Sequence, residues 1–268
     1  MNDKSDGYLH YLNEKRRKKR RILRWQLILL VGFIGLWEVA ARLGWLNTFL
    51  FSSPSEVYQL FLVYIGDGSL FKHVAISVWE TILGFSIGTA LGIIIAIGLW
   101  WSETVAKILD PVLVVLNALP KTALAPILIV WAGAGIGGIV LTAVTISIVT
   151  TILSAYNYFI HMDEEKIKML TSFGATKVQI LTKLILPANL ANIVNIIKIN
   201  IGLSWVGVIV GEFLVSRYGL GYLIVYGGQV FRLDLVMMGV VVLAVCAFVM
   251  YSIVGFVEKL IIKKRVTK

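Results

Sequence analysis

Charged residues are scarce in this chain. Asp, Glu, Lys and Arg make up 15% of its 268 positions, while hydrophobic residues fill 58%. An average globular protein carries about 25% charged residues, and a soluble fold of this length has too much surface to cover with so few. A soluble enzyme is therefore excluded, and a mean hydropathy of +0.86 agrees. Cysteine occurs once, as Cys246 within an apolar run, which excludes an internal disulfide and a disulfide-stapled secreted scaffold. Histidine occurs three times, as His10, His73 and His161, far apart and with no H-E-x-x-H spacing. No metal-ligating or cofactor-binding constellation is visible, and an intramembrane enzyme would lack its reactive cluster. Nor is there a G-x-x-x-x-G-K-[ST], the loop that cradles nucleotide phosphates.

What the chain has instead is apolar runs of about 20 residues, the length a helix needs to cross a bilayer. Six spans are expected, at 25–44, 75–101, 111–131, 137–160, 192–213 and 235–257, which makes this an all-α polytopic membrane protein. The net charge of +10 calls for no nucleic acid, because its positive residues flank the spans. With the N-terminus inside, nineteen Lys and Arg lie on the inner side and four, Arg42, Lys72, Arg217 and Arg232, on the outer. That bias places both termini in the cytoplasm of a cell-membrane protein. The basic run from Lys15 to Arg24 is topogenic and touches anionic lipid. Three regions result: a basic N-terminal segment 1–24, a membrane domain 25–258 and a basic tail 259–268.

The spans carry more than anchoring. Gly84, Gly88, Gly92 and Ala96 recur at i+4 on one helix face, the small-residue device that lets helices approach closely in lipid. Pro120 and Pro126 interrupt the third span and should break it. Broken backbone at membrane depth belongs beside protein or a cavity, so this segment is a candidate pathway wall. Ionisable residues at that depth are functional candidates. Glu38, Glu80, Lys121, Lys198 and Glu212 qualify, with Glu80 and Lys198 expected near span ends, where snorkelling suffices. The pathway and gate set is Asn117, Lys121, Ser204 and Glu212. Lys121 could meet an anionic solute or simply snorkel.

The inner loop 161–191 carries the clearest message. Asp163, Glu164 and Glu165 suit a helix N-terminus. Ile167, Leu170 and Phe173 follow at helical spacing, Gly174 interrupts, and Val178, Leu181, Leu184 and Ile185 share a side before Pro187. Two short helices hinged at a glycine, with apolar ridges facing the cytoplasm, make a docking knob. An amphipathic helix lying on lipid is the plainer reading.

These residues resemble the signature loop of permease subunits of ATP-binding-cassette importers, E-A-A-x-x-x-G-A-x(8)-I-x-L-P. Gly174-Ala175 matches the G-A, and Leu184-Ile185-Leu186-Pro187 matches I-x-L-P at the same step. Lys168, Met169 and Leu170 depart from E-A-A. Ser53-Pro54-Ser55-Glu56-Val57, Leu119-Pro120-Lys121, Gly211-Glu212-Phe213 and Gly219-Leu220-Gly221-Tyr222 resemble elements of the nitrate/sulfonate/taurine branch. The resemblance implies a type I importer fold and a permease that works with two copies of a cassette ATPase, an outside solute-binding protein and a second copy of itself. It implies a coupling helix that contacts the ATPase through Glu165, Lys168, Met169, Leu170, Phe173, Gly174, Ala175, Leu184, Leu186 and Pro187. It further implies a small anionic cargo, or a vitamin precursor. A secondary transporter, the nearest rival, would show repeats and more intramembrane charge.

Overall fold

The computed structural model describes residues 3–266, with side chains described from His10 to Lys259. The outermost residues of the two basic terminal segments lie outside these. Among the described residues every regular element is helical. Besides one short turn of helix at Thr48–Phe51, the helices are α1 (Asp3–Arg42), α2 (Pro54–Gly66), α3 (Ser69–Trp101), α4 (Glu103–Ala118), α5 (Ala125–Ala132), α6 (Ile136–Ile160) and α7 (Glu164–Ser172). Next comes α8, which starts at Lys177–Ile180, widens into a π turn at Leu181–Ile185 and ends at Leu186–Ala188. Then follow α9 (Leu190–Val215), α10 (Leu220–Gln229) and α11 (Leu233–Val266).

Five of these, α1, α3, α6, α9 and α11, are long and apolar enough to cross a membrane. The sixth expected span is broken. After α4 the chain turns by 87° through a 3₁₀ turn at Lys121–Leu124 into α5. Pro120 and Pro126 are the cause, since each removes a backbone donor and fixes φ. Pro111 stands inside α4, where the helix runs on. Two expectations shift. The third helix begins at Ser69 rather than 75, and the outer segment 45–74 holds α2, whose entry is fixed by Ser53 accepting from Glu56 N–H at 3.3 Å with Pro54 in the first turn. Helix α1 passes residue 24 without a break.

The centre is a three-helix unit of α3, α6 and α9, packed almost backbone to backbone. The stripe on α3 faces α6: a Cβ at Gly84 would lie 2.6 Å from Ala143 Cβ, and one at Gly92 2.6 Å from Thr151. Gly207 of α9 rests directly on the Ala143 backbone, and Gly211 on Ile139. Lipid supplies no hydrophobic drive between helices, so close dispersion contact and interhelical hydrogen bonds must do it. The hydrogen bonds are here. Asn200 Nδ2 donates to Thr89 Oγ1 at 2.6 Å and to Thr151 Oγ1 at 2.7 Å, tying all three helices in one buried layer. Around this unit, α2, α10 and α11 pack through Val57, Leu60, Leu220, Leu223, Leu235 and Met238.

The bundle has two ends. The knob end gathers Trp101, Ile160, α7, α8 and the start of α9. The far end gathers Arg42, α2, the start of α3, the turn Gly133–Gly135, α10 and the start of α11.

Candidate functional site

At the knob end, Asp163 caps α7 by accepting from Glu165 N–H at 3.0 Å, with Glu164 and Glu165 in the favourable first turn. The helix closes with a paired turn: Gly174 N–H donates to Thr171 O at 2.9 Å and Ala175 N–H to Leu170 O at 3.0 Å. This C-terminal motif needs a left-handed residue, and Gly174 supplies it at φ +80°. Two residues later Thr176 and Gln179 form a reciprocal capping box that opens α8. The glycine hinge expected from the sequence is therefore a single left-handed residue between two closed caps. Pro187 has no N–H to give the preceding turn, and there Leu186 N–H reaches back to Leu181 O.

Ile180, Leu181 and Ile185 bury against Ala96 of α3, Ala155 and Phe159 of α6 and Ile196 of α9. Lys177 Nζ donates to Trp101 O at 3.1 Å. The knob is thus seated on all three helices of the central unit. Its outward face differs from the expected ridges. Ile167 and Leu170 turn inward, as do Leu184 and Leu186, and Ala175 is half-buried. The apolar groups left outside are Met169, Phe173 and Val178, with Phe173 81% exposed. Val178 falls off the buried face because that face centres on 180, 181, 184 and 185. Glu165 is exposed, and Lys168 pairs with Glu164 at 3.1 Å on the surface.

At the far end, Glu212 is buried in the last turn of α9. A helix C-terminus disfavours a carboxylate, and the surrounding donors offset this. Ser77 Oγ donates to Glu212 Oε1 and Gly221 N–H to Oε2, both at 2.5 Å. Ser77 in turn accepts from Leu220 N–H at 2.7 Å, and His73 Nδ1 from Gly219 N–H at 3.0 Å. The His73 ring lies parallel to Tyr222, with 5.9 Å between centroids. Each residue of Gly219-Leu220-Gly221-Tyr222 therefore has a defined partner. A Cβ on Gly219, at φ +111°, or on Gly221 would run into the Glu212 carboxylate, so the two glycines admit it. Beside Glu212 sits Glu80, 1% exposed with Oε2 unpartnered.

The other pathway candidates separate. Lys121 and Asn117 meet on the exposed side of the break, where Nζ donates to Asn117 O and Oδ1, both at 3.3 Å. Ser204 is not on a surface: it is fully buried in the three-helix core opposite Gly84, and its hydroxyl has no partner there. Among the described residues no hydrogen bond or ion pair joins Lys121 to Glu212. Glu80 is not at a span end but inside the core, because α3 starts six residues earlier than expected. Lys198 forms an ion pair with Glu258 of α11 instead of snorkelling alone. His73, Ser77 and Asn200 carried no signal in the sequence. Their partners stand 146, 135 and 111 residues away along the chain.

Known proteins are similar to this chain in sequence and in fold. A chain of Bacillus subtilis (strain 168) named for aliphatic sulfonates transport, the permease protein SsuC, is 29% identical over 239 residues, covering 89% of this chain and 87% of that one. The taurine transport system permease protein TauC of Escherichia coli (strain K12) is 27% identical over 252 residues, covering 89% and 92%. The riboflavin transport system permease protein RibX of Chloroflexus aurantiacus is 27% identical, covering 88% and 87%. In three dimensions the fold is similar to a chain of the MetNI methionine ABC transporter in an inward-facing crystal form, with a TM-score of 0.57 at 17% identity, over 70% of this chain and 93% of that one. Residues 88–264 match the family described as binding-protein-dependent transport system inner membrane component. With its apolar helices and interrupted span, the chain belongs to that family, the multi-pass membrane permeases of ATP-binding-cassette importers.

Proposed function

We propose that this permease carries a small anionic solute of the sulfonate or taurine kind, released to it by an extracytoplasmic binding protein. The observation that carries the reading is Lys121 at the exposed, proline-broken segment, with an ammonium that Asn117 orients and that no carboxylate among the described residues neutralises. The relatives named for aliphatic sulfonates and taurine, which span nearly the whole chain, support it. A second reading, a vitamin precursor, is favoured by the relative named for riboflavin. Two copies of the chain form the pathway, with both termini in the cytoplasm, where each knob seats on one of two cassette ATPases that hydrolyse the ATP. The Met169, Phe173 and Val178 patch supplies the apolar contact, and Gly174 keeps it rigid.

The test is uptake by the assembled transporter in vesicles with its binding protein. Lys121→Gln should raise KM for a sulfonate about tenfold, the worth of one charge-assisted hydrogen bond, with little change in ATP hydrolysis. Uptake of a neutral vitamin precursor that is indifferent to Lys121→Gln, and no sulfonate uptake, would replace the first reading by the second.

A further inference from the structure

Helix α1 stands nearly apart from the bundle. Its apolar residues Leu29, Val31, Phe33 and Leu36 are more than half exposed, and between α1, α2 and α11 runs a groove of about 400 Å³. Ile34, Trp37, Val57, Phe61, Val241 and Val245 line it. This groove lies at membrane depth, since α1 and α11 are both spans, so lipid tails and not water border it. An unfilled apolar gap forfeits dispersion contact along its whole wall.

The groove is continuous, through Ile34 and Pro54, with a second opening towards the far end that Glu38, Arg42 and Ser55 border. Here an ion pair leaves donors unused. Both Glu38 oxygens are engaged, Oε1 by Arg42 Nε at 2.6 Å and Oε2 by Ser55 N–H at 3.0 Å. That fixes the guanidinium through Nε and leaves its terminal nitrogens without a hydrogen bond among the described residues, on a side chain 74% exposed. An arginine held this way suits a phosphate, whose oxygens match its planar donors. Apolar below, with the unused guanidinium donors of an ion pair at its rim, the groove repeats the polarity of one phospholipid molecule.

We infer that the groove between α1, α2 and α11 is a resident phospholipid site, with an acyl chain against Trp37 and Phe61 and the phosphate on Arg42. The lipid then acts as the packing between α1 and the rest of the permease.

The experiment reconstitutes the full chain in phosphatidylcholine vesicles containing increasing fractions of phosphatidylglycerol with brominated acyl chains. Bromine quenches an indole it touches. The share of Trp37 is read as the difference between the full chain and Trp37→Phe, against the seven other tryptophans. Trp37 should be quenched at a several-fold lower brominated fraction than the others. Arg42→Gln should raise that fraction by up to about fivefold, the worth of one hydrogen bond to the phosphate. Val241→Phe fills the groove from a half-exposed position that tolerates bulk, and should bring Trp37 to the response of the rest. Phospholipid that survives detergent washing, counted per chain by mass spectrometry, gives an independent readout and should fall in both variants. A Trp37 response equal to the bulk, unchanged in both variants, overturns the site. So does a Trp37 shielded from all brominated lipid while Val245→Cys cross-links to a second copy, which would give the groove to that copy.

Discussion

Gly174 offers the sharpest test of the knob, because the structure separates two reasons for a glycine. Its φ of +80° is costly for any residue with a Cβ. Yet nothing lies within 4 Å of where that Cβ would be. In the chain alone, Gly174→Ala and Gly174→Leu should therefore cost the same, about 1–2 kcal/mol for the left-handed backbone, and Gly174→Asn less. That cost falls on the joint between α7 and α8, so the thermal stability of the membrane bundle should not move. Side-chain size matters only if another molecule closes over the position. Co-purification of the ATPase and solute uptake, measured for all three variants, then divides the outcomes. If the knob seats in an ATPase cleft, Leu should lose docking or transport-coupled hydrolysis well beyond Ala, and Asn should stay near wild type. Ala and Leu behaving alike would mean that nothing packs at Gly174. Wild-type uptake in all three would mean that the segment only lies on lipid.

The other predictions concern the bundle and its orientation. Gly207→Val places a side chain on the Ala143 backbone, which cannot yield, and should cost about 3 kcal/mol or more in detergent unfolding; Gly202→Val, with open space around it, should be near neutral. Glu212→Ala orphans the Ser77 hydroxyl and the Gly221 N–H, for about 1–3 kcal/mol each, and should free the 216–222 turn to proteolysis, while Glu212→Gln, which keeps an acceptor, should restore part of both. In a Cys246→Ala background, Ser69→Cys and Ser216→Cys should label from outside and Thr176→Cys only after permeabilisation; outside labelling of Thr176→Cys would reverse the orientation.

Hydrophobic length placed five spans and two prolines placed the broken one, because those signals are local. The hinge was equally legible at Asp163 and Gly174, which act on backbone a few residues away, whereas the Thr176–Gln179 capping box went unread. Faces were harder to read. In a membrane helix the lipid side and the core side are both apolar, so Met169, Val178 and Ile167 look alike in sequence while the fold sends the first two outward and the third inward. What marked the inner side was small residues, as Gly84, Gly88 and Gly92 did against α6. Glu80 and Ser204 misled for a related reason. A polar residue in an apolar run is seen without its partners, and these lie on other helices. Helix α2 was hidden in a segment read only by its position between spans.

The Asn200 layer bears on how such a transporter can move. In water, a helix that slides past its neighbour can exchange one hydrogen bond for another with solvent. At this depth no solvent waits. Displacing α9 by one turn would strand the Asn200 amide, and the Gly207 and Gly211 contacts leave no room for side chains to ride over each other. Helices α3, α6 and α9 are in effect keyed like a shaft. If a partner pushes on the knob, whose Ile180, Leu181 and Ile185 are seated on that shaft, the load would reach the Glu212 end through the whole unit. The compliance must then come from its surroundings, above all from the 87° bend between α4 and α5.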